Sequence, residues 1–448
     1  MVDTPEKQRD KLLAKMYARQ EDVIKAENYY EGNHPLAFAA RKYRQSFGNQ
    51  LSAFSSNWCG LVIDVPTERL SVDGFRFGSQ AANDKAWAVW KANNLHTESG
   101  IAHTEAAKHG CVYALVEPTD GTPIITIEHP LHMIVECSHE NRRVQEAALK
   151  RWVDDDRYVY TTLYLPDEIY KWVSDKPVTD STKVRWIERE PVATNPLGVV
   201  PVVELQNKPG LLKGGTSDLR DIIPLNDGLN KLMCDLLVAS EFYAFPQKIA
   251  LGLQEAEDEN GNPIPMEKVL TDLAELWVLP AGADVKQLAA SDLKAYSNAI
   301  QEFLQQLAAL SRVPPNYLLG QMVNISGDAL IAAEKGLTSK VKGKQKSFST
   351  GWEDVMRLAF LAMGDKATAD MSAEVMWADA ESRTLAQIAD PIIKLRQVLG
   401  VPLEACWAML PNVTPQMIEE WKQLAGLPAR APQGGTFGAP PTTPAPPN

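Results

Sequence analysis

The stretch Ser311-Arg-Val-Pro-Pro-Asn-Tyr-Leu-Leu-Gly-Gln-Met-Val-Asn-Ile-Ser-Gly-Asp-Ala-Leu330 decides how this chain is read. Its first half, 313–325, is rich in Pro, Gly and Asn and predicts an irregular connector. Its second half opens a helix. Ser326 is a candidate N-cap, and Asp328 sits near the positive end of the helix dipole. Beyond it Leu330, Ala333, Leu337, Val341, Phe348, Trp352, Val355 and Ala359 recur at three-and-four spacing and define one helix face. The pattern continues to Gly364, so the helix spans on the order of 55 Å at 1.5 Å per residue. Its middle is basic, with Lys335, Lys340, Lys342, Lys344 and Lys346. An element this long suits a large assembly better than a compact enzyme core. The plainer reading is a surface helix with a solvated lysine face.

On the N-terminal side of this stretch, Leu293, Tyr296, Ile300, Phe303, Leu304 and Leu307 predict a helix capped by Ser291-Asp292. Leu225, Leu229, Leu232, Met233, Leu236 and Leu237 predict another, ending near Phe245-Pro246. The two flank a small module, 246–290, with an acidic loop (Glu255, Glu257, Asp258, Glu259) and a strand at Leu276-Trp-Val-Leu. From Cys111 to about Glu204 the chain is β, with runs of β-branched and aromatic residues separated by Asp-Gly, Pro-Asp and Asn-Pro turns. It reads as a meandering, mostly antiparallel sheet. Helices precede it at 5–30, 57–70, 83–93 and 100–109, and Pro66 kinks or breaks the second. On the C-terminal side a strand-like segment begins at Glu374. Helices follow at 384–399, 402–409 and 415–424, then a Pro-rich tail from 428 that cannot bury enough apolar surface to fold.

The chain has 448 residues, 45% hydrophobic and 23% charged, with a net charge of −12. That is globular composition for several domains. An acidic chain does not grip nucleic acid over a broad surface, although DNA can slide past a like-charged wall. Five scattered cysteines predict no disulfide framework and fit a reducing cytosol. Neither a signal peptide nor a membrane span is expected.

Catalytic signatures are missing. The sequence holds no Gly-x-x-x-x-Gly-Lys-[Ser/Thr], no Gly-x-Ser-x-Gly and no His-Glu-x-x-His, so no enzyme activity is expected. His129, His132, Cys137 and His139, with His109 and Cys111 upstream, invite a zinc reading and a zinc-dependent hydrolase. On a regular strand Cys137 and His139 share a face while His129 and His132 do not, so the expectation is no metal site and no cofactor. Asp154-Asp-Asp156 reads as a hairpin turn rather than a cation site.

The order of these parts resembles the portal proteins of tailed bacteriophages, particularly the family of phages of actinobacteria and other Gram-positive hosts. The likeness is carried by Tyr29-Tyr-Glu-Gly-Asn-His-Pro, by 57–70 followed by Val72-Asp-Gly-Phe, and by Leu163-Tyr-Leu-Pro-Asp-Glu-Ile-Tyr. It also rests on Pro224-Leu-Asn-Asp-Gly-Leu-Asn-Lys, Glu241-Phe-Tyr-Ala-Phe-Pro-Gln, the 311–330 stretch and Glu381-Ser-Arg-Thr-Leu-Ala-Gln-Ile-Ala-Asp. It implies an α+β multidomain chain. The α/β wing is 1–217 together with the long helix 326–364, the helical stem is 218–245 and 291–312, and the small clip is 246–290. The tunnel loop is 313–325 and the helical crown 365–427, with the disordered tail at 428–448.

The function it implies is a ring, usually of twelve copies, at one capsid vertex, through which viral DNA is packaged and ejected. The partners implied are further copies of the chain, the major capsid protein, the terminase large subunit, a head–tail adaptor, a scaffold protein and non-specific double-stranded DNA, with no membrane. The location implied is the virion, with assembly in the host cytoplasm. Pro314, Pro315, Asn316, Gln321 and Asn324 are the candidate channel residues. Lys340, Lys342, Lys344 and Lys346 are candidate channel or inter-subunit charges, and Glu255, Glu257, Asp258 and Glu259 are the candidate docking acids. A minor head protein without a channel is the alternative.

Overall fold

The computed structural model describes residues 4–34, 56–178, 184–211, 214–244, 248–251, 284–287, 293–319, 327–381, 385–407, 409–410, 413 and 415–425. The elements run α1 (Pro5–Tyr30), α2 (Trp58–Thr67), β1 (Val72–Arg76), α3 (Gln80–Ala92), α4 (Leu95–His109), β2 (Cys111–Glu117), β3 (Ile124–Glu128) and β4 (Met133–Cys137). Next come β5 (Gln145–Val153), β6 (Val159–Tyr164), β7 (Glu168–Ser174), β8 (Trp186–Thr194), β9 (Val202–Gln206), α5 (Ile223–Ala244), β10 (Lys248–Leu251) and β11 (Asp284–Gln287). The last are α6 (Leu293–Ser311), α7 (Pro315–Leu319), α8 (Gly327–Ala362), α9 (Lys366–Ala369), β12 (Glu374–Trp377), α10 (Leu385–Leu399), α11 (Leu403–Trp407) and α12 (Pro415–Leu424). Two compact units result, residues 1–380 and residues 381–448.

The β region forms two sheets rather than one meander. β3-β2-β9 make a three-stranded sheet and β4-β5-β6-β7-β8 a five-stranded one, with every pairing in both antiparallel. α1 lies across them. Leu12, Leu13 and Met16 pack with Ile134, Leu149, Leu163 and Trp172 of the larger sheet. The Arg9 guanidinium lies 4.7 Å from the Trp172 ring and 5.0 Å from the Trp186 ring, a stacking geometry suited to a buried arginine. Arg19 donates to the Tyr113 hydroxyl at 2.8 Å and to the carbonyls of Pro130 and Met133.

The long helix α8 is core, not a surface strut. Leu337, Val341, Phe348, Trp352, Val355 and Ala359 are each at most 1% exposed, and the predicted apolar face is their face. Trp352 stands edge-on to Trp90, 5.0 Å between centroids. Its indole N–H donates to Nε2 of His103 at 2.9 Å. That bond needs His103 neutral, and burial pushes its pKa down to about 3. β12 pairs with β1, Phe75 opposite Val375, so residues 365–380 belong to the first unit and the expected helical module starts at 381.

Helices α5 and α6 pack together where Gly228 admits Phe303: a Cβ at Gly228 would lie 2.7 Å from the Phe303 ring. The leucine stripe read for α5 is displaced from its true buried face, which is Asn226, Leu229, Asn230, Cys234 and Val238. Leu237 is 40% exposed. The buried amides have partners that periodicity cannot show. Asn226 Nδ2 meets His34 Nε2 at 3.1 Å, and Asn230 Oδ1 accepts from the Ser56 amide at 2.8 Å.

A glycine pair places the charge on which α8 is registered. Gly110 ends α4 at φ +93°, and a Cβ on Gly215 would lie 1.7 Å from the Gly110 carbonyl oxygen. Only glycine permits that approach. The segment is then bonded down: Thr216 N–H to Asn207 O at 2.7 Å, and Asp218 N–H to Ala107 O at 2.9 Å. Asp218, with its side chain 1% exposed, then faces Lys344 Nζ at 2.9 Å, Lys340 Nζ at 3.1 Å and Lys208 Nζ at 2.6 Å. Lys344 also donates to Asn207 Oδ1 at 2.6 Å and Lys340 to Ser311 O at 3.1 Å.

This corrects the expectation for Lys340 and Lys344. They are 7% and 3% exposed and turned into their own chain, because a buried carboxylate offers what neither a solvated face nor a channel wall does. Burial works to raise the Asp218 pKa, but Lys344, Lys340 and Lys208 outweigh it and hold the carboxyl well below the usual carboxylate range. One anion cannot fully offset so many ammonium groups. Burial therefore lowers Lys344 to about 8, against the pull of Asp218.

Asp218→Asn removes the only formal negative charge at this contact among the described residues and strands buried ammonium groups. It should cost about 3–5 kcal/mol, read as a lower urea midpoint at unchanged slope. The pH dependence has two arms. The Asp218 pKa is depressed in the fold, so its contribution is present above the ordinary value of 3.8 and is lost as pH falls below it. The Lys344 pKa is depressed from 10.5 to about 8, so the unfolded chain binds more protons between those values and stability rises with pH across that window. The Lys344→Met variant should lack this rise. Equal profiles for the two proteins would show that the lysine keeps its proton in the fold.

Candidate functional site

The region read from sequence as channel-facing starts where α6 ends. Ser311 Oγ accepts from Val313 N–H at 3.2 Å, and Arg312 turns the chain at φ +58°. Val313 and Pro314 are buried, Pro315 is exposed at the start of the short helix α7, and Asn316 is half-buried. The segment is therefore helical over 315–319 rather than irregular from its start, since Pro315 pre-sets the φ of a first helical residue. Gln321 and Asn324 lie outside the described residues.

α7 is clamped at its base. Arg69 donates to Glu334 Oε2 at 2.8 Å and to the Tyr317 hydroxyl at 3.0 Å, and that hydroxyl donates to Glu334 Oε1 at 3.3 Å. A guanidinium fork meeting both a carboxylate and a phenol fixes orientation as well as distance. The root of the connector is thus held between the segment after α2 and the first turns of α8. None of these residues was singled out from sequence as a site, because Arg69 is about 250 residues from its partners and no local spacing brings the three together.

Lys342 and Lys346 are exposed. Lys346 lines an open groove of about 450 Å³ together with Glu204, Gln206 and Asp354, so its charge looks onto acids of its own chain. Glu255, Glu257, Asp258 and Glu259 lie outside the described residues, as does the strand read at 276–279. What is described of that module is the antiparallel pair β10–β11, Lys248 opposite Gln287 and Leu251 opposite Asp284.

The zinc motif is not assembled as the sequence suggested. Among the described residues the group of potential ligands is Glu27, Glu105, His109 and His129, all within 4.8 Å of one another. Glu27 comes from α1, Glu105 and His109 from α4, and His129 from the turn after β3. His132, Cys137 and His139 are not in it. His109 and His129 were in view from sequence, whereas Glu27 and Glu105 were missed. The signal available was Glu105-x-x-x-His109, a four-residue spacing that puts both on one helix face. Lys108 Nζ lies 2.7 Å from Glu105 Oε1 and 2.9 Å from Glu27 Oε2. Burial pushes the Glu105 carboxyl up, but the neighbouring His109, His129 and Lys108 outweigh it and hold the group well below the usual carboxylate range.

Among the described residues no helix is long and apolar enough to cross a membrane. The sequence comparisons agree with one another. The chain is 28% identical over 414 residues to the portal protein of Mycobacterium phage L5, covering 88% of this chain and 82% of the relative. It is 30% identical over 354 residues to the portal protein of Mycobacterium phage D29, covering 75% and 71%. Among solved structures, it aligns with a chain from the neck of a native GTA particle computed with C12 symmetry. The TM-score is 0.44 and the identity 11%, over 89% of this chain and 96% of that one. Residues 9–425 match the family described as "Phage portal protein, SPP1 Gp6-like". That span runs from the first turns of α1 past the end of α12, and on it the chain belongs to the SPP1 Gp6-like family of phage portal proteins.

Proposed function

We propose that this chain is the repeating subunit of a portal: a closed ring of twelve copies at one vertex of a tailed-phage capsid, through whose axis double-stranded DNA enters and leaves. Membership of the portal family across residues 9–425 carries the reading. The chemistry agrees with it. A net charge of −12 suits a conduit that must not hold phosphates, and the missing nucleotide-binding motif fits a channel served by a separate motor. The subunit acts as structure and docking hub, not as an enzyme. Its partners are the major capsid protein, the terminase large subunit during packaging and a head–tail adaptor afterwards.

Within that reading residues 313–325 face the DNA without sequence preference, through neutral polar groups at Asn316, Gln321 and Asn324 that touch phosphates weakly. The clamp of Arg69, Tyr317 and Glu334 supports this, since it gives a loop working against moving DNA a fixed root. The acids Glu255, Glu257, Asp258 and Glu259, in a small module carried between two packed helices, form the docking surface for motor and adaptor.

The purified chain should elute as one large species by size exclusion with light scattering, and negative-stain images should show rings with a central hole. A stable monomer at micromolar concentration, or an oligomer with no hole, would support a head protein without a channel. Two deletions separate the roles. Shortening 320–326 should leave rings intact and reduce packaged or retained DNA. Removing 255–260 should leave rings intact and reduce motor or adaptor docking. Normal full-length packaging by the first variant would make the loop a plain connector, and normal docking by the second would make the acidic loop a solvated turn.

A further inference from the structure

The cluster of Glu27, Glu105, His109 and His129 holds more contacts than its protons can satisfy. His109 Nε2 lies 3.2 Å from Glu105 Oε2 and 3.2 Å from His129 Nε2, and His129 Nε2 lies 3.3 Å from Glu105 Oε2. The three atoms form a nearly equilateral triangle. A ring nitrogen either donates or accepts in its plane, never both. No placement of protons on two imidazoles and one ionised carboxylate therefore turns all three edges into hydrogen bonds. Glu105 Oε2 has no well-formed hydrogen bond, and His109 Nδ1, in a side chain 0% exposed, has no partner among the described residues. Nothing there forces a proton onto Nε2 of His109.

A single cation resolves what protons do not. Ligands about 2.0–2.1 Å from a tetrahedral zinc stand about 3.3–3.4 Å from one another, which is the edge of this triangle. Glu27 Oε2 is the fourth ligand atom, 3.1 Å from His109 Nε2 and within 4.8 Å of the other two. Charge agrees. Two carboxylates and the Lys108 ammonium leave one net negative charge. Lys108 meets Glu105 through Oε1, facing away from the triangle, and Glu27 through both oxygens, 3.1 Å from Oε1 and 2.9 Å from Oε2, so a bound ion shares Glu27 with it.

We propose that Glu27, Glu105, His109 and His129 form a closed structural site for a divalent transition-metal ion of the zinc class, which staples α1 and α4 to the turn between β3 and β4. Four protein ligands leave no open position, so the ion is structural rather than hydrolytic. Loading changes one bond. Leu131 N–H donates to His129 Nδ1 at 3.1 Å. When His129 Nε2 becomes a ligand the proton resides on Nδ1, and the Leu131 amide must find another acceptor. The proposal stands on this geometry alone and is independent of the portal reading.

The test uses the purified full chain, stripped with EDTA and dialysed, then titrated with Zn2+ by calorimetry and with Co2+ by visible absorption. The expected result is one equivalent of Zn2+ per chain, a Co2+ spectrum of tetrahedral intensity and a raised melting temperature. Hydrogen-exchange protection at the Leu131 amide should fall. His129→Gln and Glu27→Gln, at side chains 27% and 38% exposed, should each weaken Zn2+ by at least about tenfold while the metal-free melting temperature stays near wild type. His139→Gln, at an exposed residue outside the cluster, should bind as wild type does. Failure to retain an equivalent of metal would overturn the proposal and leave Lys108 as the only cation there. Retention that both cluster variants leave unchanged would overturn it too, by placing the ion elsewhere.

Discussion

The fold turns on one carboxylate. Asp218 sits on a strap that only two glycines allow to pass, Gly110 at φ +93° and Gly215 against its carbonyl. From there it meets Lys340 and Lys344 on the long helix and Lys208 beside β9. Apolar packing alone leaves a 36-residue helix free to slide by a turn with modest loss, since side chains of similar size recur every three or four residues. A buried ion cluster tolerates such a slip less well: Lys340 and Lys344 are one turn apart, so a one-turn slide sets Gly336 or Phe348 in place of one of them and leaves the displaced ammonium group without Asp218. The lysines that looked like a solvated face thus bias the register of α8 against the segment before α5, the kind of specificity buried charge is best attested to supply.

Two further contacts extend this to α5 and α7. The Tyr29 hydroxyl donates to Asp227 at 2.9 Å, joining the end of α1 to α5. Arg69 bridges Glu334 and Tyr317, joining the segment after α2 to the root of the connector. Asp218, Asp227 and Glu334 are the acid partners at these junctions, and in each case the opposite group arrives from a distant part of the chain. A protein whose task is to hold geometry while DNA moves benefits from polar contacts at its joints, because their distance and angle requirements are steeper than those of apolar contacts.

Much of the secondary structure was legible because it rests on local periodicity. The buried face of α8 from Leu337 to Ala359 is a three-and-four repeat, and the strands from Cys111 to Glu204 alternate or run apolar between clear turn residues. What was not legible depends on distance in the chain. The division of the β region into two sheets follows from β2 pairing with β9, some ninety residues on, and β1 finds β12 three hundred residues away. The buried face of α5 was misread because Asn226 and Asn230 lie on it, and buried amides carry no apolar signal. Lys340 and Lys344 were misread for the same reason: a lysine's burial is decided by a partner that sequence spacing does not reveal. The ligand cluster shows the middle case, since Glu105 and His109 are one helical turn apart while Glu27 and His129 come from elsewhere.

The most direct measurement is amine-selective acylation of the native protein, read lysine by lysine by mass spectrometry. Lys342 and Lys346 are exposed, while Lys340 and Lys344 are turned onto Asp218. The account predicts rapid labelling of Lys342 and Lys346, strong protection of Lys340 and Lys344, and loss of that protection in Asp218→Asn. Labelling of Lys340 and Lys344 at the rate of their exposed neighbours would contradict it and return all four lysines to a solvated or channel-facing surface.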